Sequence, residues 1–293
     1  MEIVYERRGE GPPLVLLHGI GHRWQAWAPV MDRLARERDV VAVDLPGFGA
    51  SPPLPAGRPY TLDVVLEILA GFFDRLGLGR PHIAGNSLGG LFSLEAADRG
   101  LVSSATVLSP AGFYTRPELA WATTVLRASR LGTRLPEWLL GRLARDPRRR
   151  RAMFGMIYGH PDRLDLAELL ADGRALRDCA GFEPTIRAGG SVRFAGSCAG
   201  VPVTIAWGTR DRLLLPIQMM RAQQRLPEAR FVWLPDCGHV PMGDDPELVA
   251  RVLLEGSDVP LLEPKDGAGP GRRTVVGTAD VDVEDAEDVE RAS

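Results

Sequence analysis

A serine, a histidine and an aspartate of this chain occupy positions where they could form a nucleophilic site. Ser87 lies in the pentapeptide GNSLG, residues 85–89, which matches the pattern G-x-S-x-G. In that pattern the serine occupies a strained turn between a strand and a helix, and the flanking glycines permit close packing. The same letters also fit an ordinary glycine turn. The nucleophile hypothesis therefore depends on a base and an acid elsewhere in the chain.

A serine hydroxyl is a weak nucleophile and needs a general base. The chain has five histidines: His18, His22, His82, His160 and His239. His239 lies in the segment GHVPM, between the last predicted strand and the last predicted helix. That loop opens at the carboxyl edge of the predicted sheet, which is also the edge where Ser87 stands. A lone loop histidine is more often a solvated residue, but this position favours His239 as the base.

The base in turn needs a carboxylate that orients its ring. Asp211 follows the penultimate predicted strand, in WGTRD, and the chain order Ser87, Asp211, His239 is typical of a triad placed on successive loops of such a sheet. Asp236 is the alternative, three residues before His239, although such a short separation is more typical of a local turn. The loop after the strand that ends at Leu108 contains no carboxylate, which also favours Asp211.

Acyl transfer also requires hydrogen-bond donors for the developing oxyanion. The backbone N–H of Leu88, at the start of the helix after Ser87, is one candidate. The loop HGIGH, residues 18–22, supplies the second, and we assign it to the N–H of Ile20 because Gly19 lets the backbone approach closely.

The elements that must position these residues alternate along the chain. Short apolar runs predict buried strands at residues 12–19, 39–47, 80–87, 103–110, 201–208 and 229–235. Helical periodicity occurs at residues 24–36, 61–76, 88–99, 217–226 and 246–255. Strands that alternate with helices of this length predict an α/β fold with a mostly parallel sheet.

The alternation divides the chain into three parts. Residues 1–112 and 201–256 form the predicted core domain. Residues 113–200 are helical in pattern and rich in arginine, and we interpret them as a helical cap over the site. Residues 257–293 include ten acidic residues and few large apolar ones, a composition that predicts an acidic, disordered tail.

The overall composition excludes several classes of protein. With 45% apolar and 25% charged residues, the 293-residue chain is typical of a globular protein. No apolar run approaches the roughly 18 residues of a membrane span, and the N-terminal residues do not resemble a signal peptide. Cys179, Cys198 and Cys237 fit neither a disulfide framework nor a metal site. We therefore expect a cytoplasmic protein with no membrane or nucleic-acid partner, no metal and no cofactor. Its oligomeric state is not predicted.

Five segments together resemble the α/β-hydrolase family. They are LLHGIG at 16–21, DLPGFGAS at 44–51, GNSLGG at 85–90, WGTRD at 207–211 and GHVPMGDDPE at 238–247, in family order. The resemblance implies an eight-stranded sheet, a triad of Ser87, Asp211 and His239, and a helical cap between the sixth and seventh strands. It implies no cofactor.

The expected activity is that of a serine hydrolase acting on a small carboxylic ester or thioester. One alternative is a hydrolase that cleaves a carbon–carbon bond in ring-fission dienoates. Several such hydrolases have a similar GNS-x-GG segment. In this alternative Arg187 or Arg193 of the cap would bind the substrate carboxylate. In those enzymes a tryptophan usually follows the catalytic histidine, whereas Val240 follows His239 here. A second alternative is a ligand-binding member of the fold without catalytic activity.

Overall fold

The protein is described here by a computed structural model, which covers residues 1–190, 192–262 and 275–281. Within these residues a single sheet has eight strands: β1 (Glu2–Arg8), β2 (Pro13–Leu17), β3 (Asp39–Val43), β4 (His82–Asn86), β5 (Ser104–Leu108), β6 (Val203–Gly208), β7 (Arg230–Leu234) and β8 (Val275–Asp280). Their spatial order is β7-β6-β5-β4-β2-β3-β1-β8. Strands β2 to β7 run parallel, while β1 is antiparallel to both β3 and β8. The α/β fold and the eight-stranded, mostly parallel sheet predicted from the sequence are therefore confirmed.

The central strands are buried on both faces, which explains their continuous apolar runs. All residues of β3, β4, β5 and β6 are buried. Helices cover the two faces and form separate apolar clusters there, one that includes Phe72 and the other Trp27 and Met31. Strand β7 lies at the edge, where Trp233 remains 47% exposed.

Five helices flank the sheet at the positions predicted from periodicity. They are α1 (Ala28–Leu34), α2 (Leu62–Arg75), α3 (Leu88–Asp98), α9 (Gln218–Arg225) and α10 (Pro246–Gly256). Thr61 is the N-cap of α2, since its hydroxyl accepts a hydrogen bond from the N–H of Val64. The segment before α1 differs from the prediction, because residues Trp24–Trp27 form a 3₁₀ turn.

Five further helices lie between β5 and β6, and we call residues 113–200 the helical insertion. They are α4 (Arg116–Gly132), α5 (Glu137–Ala144), α6 (Pro147–Phe154), α7 (Leu166–Asp178) and α8 (Phe182–Gly189). Thr115 and Glu118 begin α4 with a reciprocal capping box. The cap was predicted between the sixth and seventh strands, but the insertion lies between the fifth and sixth strands of this chain. The strand count differs because β8, the last described strand in the chain, occupies the sheet edge beside β1.

The C-terminal segment differs from the prediction of disorder over residues 257–293. Residues Val275–Asp280 form β8 and pair with β1 from Glu2 to Arg7. The composition of the segment did not reveal this strand, because its partner is the first strand of the chain and would otherwise be an open sheet edge. Residues 263–274 and 282–293 lie outside the described part of the chain.

Candidate active site

Ser87 occupies a sharp turn between β4 and α3. Its backbone has φ of 56° and ψ of −114°, a conformation that costs energy for a residue with a side chain. The turn is tight because two glycines allow contact. A Cβ added at Gly85 would lie 2.1 Å from the carbonyl oxygen of Gly89, and one added at Gly89 would lie 2.2 Å from that of Leu17. The backbone therefore holds the Ser87 side chain at the carboxyl end of β4, in the turn geometry that the G-x-S-x-G pattern predicts.

His239 and Asp211 meet at the same edge of the sheet. Nδ1 of His239 lies 2.8 Å from Oδ2 of Asp211, and both side chains are almost fully buried. Oδ1 of Asp211 accepts hydrogen bonds of 2.9 Å from the N–H groups of Leu213 and Leu214, so the carboxylate is fixed at both oxygens. Nε2 of His239 is buried and has no hydrogen-bond partner among the described residues. The ring therefore presents one free nitrogen.

Asp236, the competing acid, is not placed to orient His239. Its carboxylate is 69% exposed and forms a 2.9 Å ion pair with Arg210. Its backbone has φ of 60°, which is typical of a local turn. The structure therefore brings Asp211, and not Asp236, to the histidine.

Three of the other four histidines have structural contacts. Nε2 of His18 accepts from the N–H of Leu45 and its Nδ1 donates to the carbonyl oxygen of Gly19, while burial lowers its pKa to about 3. Burial also lowers the pKa of His82, to about 4, and its Nδ1 lies 2.9 Å from the hydroxyl of Ser104. His160 donates its backbone N–H to Asp244.

Asn86 connects the nucleophile turn to the histidine loop. Its side-chain amide donates to the carbonyl oxygens of His239, at 2.8 Å, and Leu108, at 3.0 Å. This pair of contacts was not predicted from the sequence. The available signal was a buried polar residue between Gly85 and Ser87, which requires internal hydrogen bonds.

The histidine loop is also held by the helical insertion. The carbonyl oxygen of Ile157 accepts from the N–H groups of His239, at 2.8 Å, and Val240, at 3.1 Å. Asp244 accepts from the N–H groups of Gly159, His160 and Gly238, at 2.7 to 2.9 Å. Asp244 was not predicted as a functional residue, although it lies in the GHVPMGDDPE segment. It ties the insertion to the loop that carries His239.

The candidate oxyanion donors belong to two segments near Ser87, the start of α3 and the loop that contains Gly19. Leu88 is the first residue of α3, so its N–H has no carbonyl one turn earlier in the helix. Ile20 lines the cavity described below, together with Gly19, where an added Cβ would lie 3.2 Å from Cβ of Ser87. The loop is fixed at its far end by Asp44, which accepts from the N–H of Trp24 at 2.6 Å.

A cavity of about 500 Å³ contains Ser87 and His239. The helical insertion supplies most of its wall, and the aromatic and sulfur-containing residues of the insertion that line it are Trp121, Met153, Phe154, Met156 and Tyr158. Trp138, in contrast, is 71% exposed. The cavity is mainly apolar and has the size of small-molecule sites.

Three polar side chains line the cavity and bond to one another. Nε2 of His22 lies 3.1 Å from the hydroxyl of Tyr158, which donates to Oδ2 of Asp172 at 3.0 Å. Arg23 donates to the other oxygen of Asp172 at 3.2 Å. Burial lowers the pKa of His22 and raises that of Tyr158 well above its usual value, so both side chains are neutral near pH 7.

The two arginines proposed for a substrate carboxylate lie elsewhere. Arg193 stacks on the ring of Tyr114, and neither Arg187 nor Arg193 lines the cavity. Arg174 and Arg177 do line it, but they are paired with Glu137 and Asp178. The alternative of a carbon–carbon bond hydrolase depended on Arg187 or Arg193 binding a substrate carboxylate in the cavity, and their positions weaken that alternative.

The three cysteines are free thiols, and burial raises the pKa of Cys179 to about 11 and those of Cys198 and Cys237 to about 12. In the described ranges, no cluster of three or more histidine, cysteine or acidic residues could hold a metal ion. None of the described helices combines the length and apolarity needed to cross a bilayer.

Comparison with known proteins finds similarity over most of the chain. A model of the alpha/beta hydrolase family matches residues 14–252. The chain is 29% identical over 262 residues to the pimeloyl-[acyl-carrier protein] methyl ester esterase of Aeromonas hydrophila, a match that covers 86% of this chain and 98% of that protein.

Two further similarities show how widely the fold is shared. The chain is 31% identical to the dihydrolipoyllysine-residue acetyltransferase component of the acetoin cleaving system of Pseudomonas putida, over 85% of this chain. It spans 65%, less than two thirds, of that relative's length. The solved structure of the enol-lactonase from Burkholderia xenovorans LB400 superimposes with a TM-score of 0.69, at 21% identity, over 86% of this chain and 95% of that one.

Proposed function

Because the chain belongs to the alpha/beta hydrolase family, we propose that it is a serine hydrolase that cleaves a small carboxylic ester or thioester through an acyl-enzyme on Ser87. One observation carries the proposal. His239 is bonded to Asp211 through Nδ1, and its Nε2 is buried and without a partner among the described residues, in the cavity that also contains Ser87.

The first half of the reaction forms the acyl-enzyme. Nδ1 of His239 carries a proton, because Asp211 accepts a hydrogen bond from it, and in the neutral ring Nε2 is therefore unprotonated. Nε2 takes the Ser87 proton as Oγ attacks the carbonyl carbon, and the carbonyl oxygen becomes an oxyanion. The N–H groups of Ile20 and Leu88 bind that oxyanion. The imidazolium then protonates the leaving alcohol or thiol as its bond to the carbonyl carbon breaks.

The second half regenerates the enzyme. Nε2 of His239 takes a proton from a water molecule, and the resulting hydroxide attacks the acyl carbon. The tetrahedral intermediate collapses, the carboxylic acid leaves, and the proton returns to Oγ of Ser87. Asp211 orients the ring throughout and stabilises its positive charge.

The lining of the cavity supports an ester or thioester with an apolar part. Apolar residues from the helical insertion, including Met153, Phe154 and Met156, surround the space beside Ser87 and would contact an acyl chain. The Aeromonas hydrophila relative is a methyl ester esterase, which also favours ester cleavage. The helical insertion acts in this proposal as a cap over the site.

The test is hydrolysis of p-nitrophenyl acetate and butyrate by the wild-type chain and by Ser87→Ala. We expect the variant to lose at least about a thousandfold in kcat/KM, since residual catalysis would come from the oxyanion donors and binding alone. Wild-type turnover by a pure Ser87→Ala preparation would exclude the mechanism.

A fluorophosphonate probe separates a catalytic from a purely ligand-binding protein. An activated Ser87 is labelled covalently, whereas the serine of a binding protein without a working base is not. We expect labelling of the wild type and none of Ser87→Ala. A ring-fission dienoate in the same substrate panel tests carbon–carbon bond cleavage, which we expect to be absent.

A further inference from the structure

The cavity contains a buried hydrogen-bond chain that the proposed chemistry does not use. It runs from His22 through Tyr158 to Asp172, and it joins the loop after β2 to two residues of the helical insertion in the wall of one cavity. His22 follows the oxyanion loop residue Ile20 by two positions, so this chain starts beside the reacting centre. We call these three side chains the polar subsite.

The donors and acceptors fix the direction of the chain. Asp172 pairs with Arg23 and is an acceptor for the single hydroxyl proton of Tyr158. The hydroxyl oxygen of Tyr158 is then free to accept, and its neighbour at 3.1 Å is Nε2 of His22. Nε2 must therefore carry the proton. In a neutral ring this leaves Nδ1 of His22 as an acceptor.

That acceptor has no counterpart in the protein. Nδ1 of His22 is buried and has no hydrogen-bond partner among the residues that the structure describes. The His22 side chain is 12% exposed and lines the cavity. A buried acceptor without a partner is unfavourable. Nδ1 is shielded from solvent, so a donor on a ligand in this cavity satisfies it only when the side chains around the His22 ring shift.

We propose that the polar subsite selects substrates that carry a hydroxyl group. This neutral group would donate a hydrogen bond to Nδ1 of His22. The inference rests on the proposed function, since it concerns the substrate of the same serine hydrolase. A neutral donor is favoured over an ammonium group because the His22 ring is neutral and both oxygens of Asp172 already accept hydrogen bonds, one from Arg23 and one from Tyr158. The surrounding wall is apolar, so a hydroxyl group placed there would have few other partners.

The experiment compares esters that differ by a hydroxyl group against a methyl group of similar size. On the acyl side the pairs are p-nitrophenyl 3-hydroxybutyrate against 3-methylbutyrate, and 6-hydroxyhexanoate against heptanoate. On the alcohol side the pair is 3-hydroxypropyl butyrate against butyl butyrate, followed by pH-stat titration. We expect kcat/KM to be roughly tenfold higher for the hydroxylated member of at least one pair. The pair that responds identifies the side.

Two matched variants test whether His22 is responsible. The amide nitrogen of glutamine in His22→Gln takes the place of Nε2 and can still donate to Tyr158, but the acceptor at Nδ1 is lost. The amide oxygen in His22→Asn lies near the place of Nδ1 and retains an acceptor. We expect the hydroxyl-to-methyl ratio to fall to about one in His22→Gln and to be largely retained in His22→Asn.

Tyr158→Phe gives a second test that leaves His22 in place. Without the phenol, nothing fixes the proton on Nε2, so the ring can change tautomer and the preference for hydroxyl groups should fall. Melting temperatures of all variants establish that they are folded. Because each ratio compares two substrates of one variant, a general disturbance of the oxyanion loop cancels.

The outcomes separate the two proposals. Wild-type ratios near one in all three pairs, or an unchanged ratio in His22→Gln, would overturn the subsite and leave the serine mechanism intact. Ester turnover that persists in Ser87→Ala, or no turnover of any ester by the wild type, would overturn the proposed function and the subsite with it.

Discussion

Replacing Asp211 with asparagine should separate the catalytic contribution of this carboxylate from its structural one. Oδ1 of Asp211 accepts from the N–H groups of Leu213 and Leu214, and Oδ2 accepts from Nδ1 of His239. Asparagine has nearly the same shape but one acceptor oxygen. If that oxygen remains with the two backbone donors, its NH₂ group faces His239.

The expected loss of activity follows from the tautomer. An NH₂ group donates to Nδ1, so Nδ1 loses its proton and Nε2 carries it instead. Nε2 then cannot accept the proton of Ser87. A triad with the wrong tautomer loses about 10³- to 10⁴-fold in kcat. At about 1.4 kcal/mol per factor of ten, this is roughly 4 to 5.5 kcal/mol of transition-state stabilisation.

The expected loss of stability is small for asparagine and large for alanine. Asp211→Asn keeps an acceptor for the two backbone donors and weakens two charge-assisted bonds to neutral ones, at a cost of about 1 to 2 kcal/mol. Asp211→Ala leaves both buried N–H groups unpaired, at about 1 to 3 kcal/mol each, so the total is roughly 2 to 6 kcal/mol. The two variants should thus be similarly inactive but differ in the free energy of unfolding.

The assay combines p-nitrophenyl butyrate hydrolysis with urea unfolding. Asp236→Asn is the matched control, because Asp236 is exposed and asparagine tolerates its positive φ. We expect the control to stay within about twofold of the wild type. If Asp211→Asn kept more than a tenth of the wild-type kcat, Asp211 would not control the tautomer of His239 and the assignment of the acid would be wrong.

Three further predictions concern stability. Gly89→Ala should lower the free energy of unfolding by at least about 3 kcal/mol, because its Cβ would overlap the carbonyl oxygen of Leu17. Gly132→Ala in α4 is the control: its Cβ meets no atom within 4 Å, and the free energy of unfolding should rise by up to about 1 kcal/mol. Equal effects of the two substitutions in urea titrations would contradict the packing argument. Asp244→Ala should cost about 3 kcal/mol or more, because three backbone N–H groups lose their acceptor, and should also reduce kcat; a variant with wild-type melting temperature would contradict the role given to this carboxylate. Burial lowers the pKa of His18 to about 3, so below pH 6.5 the unfolded chain binds a proton that the folded protein does not, and stability must decrease as the pH is lowered. Between pH 7.5 and 5.5 this residue should reduce the free energy of unfolding by about 1.4 kcal/mol, and His18→Asn should lose less over the same interval.

Much of the site was predictable because parallel strands end at a common edge. The apolar runs before Ser87 and Asp211 are continuous, so both strand ends could be placed without a structure. The short separation between the last strand and the last helix located the loop of His239. The structure brings His239 and Asp211 together as this reasoning expects, and the role of each in catalysis stays a prediction.

Other contacts could not be derived from local patterns. Asn86 bonds to a residue 153 positions away, and His22 bonds to Tyr158 at a separation of 136. Neither pair has a spacing or periodicity that indicates a contact, because the helical insertion determines which of its residues reach the cavity. Strand β8 was missed for the same reason, since its pairing depends on the open edge of β1.

The pairing of β1 with β8 has a consequence for how the chain is made. A ribosome synthesises β1 first among the described strands and β8 last, with the whole hydrolase core in between. The nascent core therefore has one edge strand unpaired until β8 is synthesised, and during that interval β1 can pair with a strand of a neighbouring nascent chain. Removal of the C-terminal segment by a protease would return the finished protein to that exposed state. The sequence after Gly256 carries ten acidic and four basic residues, and this net negative charge would oppose such association by electrostatic repulsion.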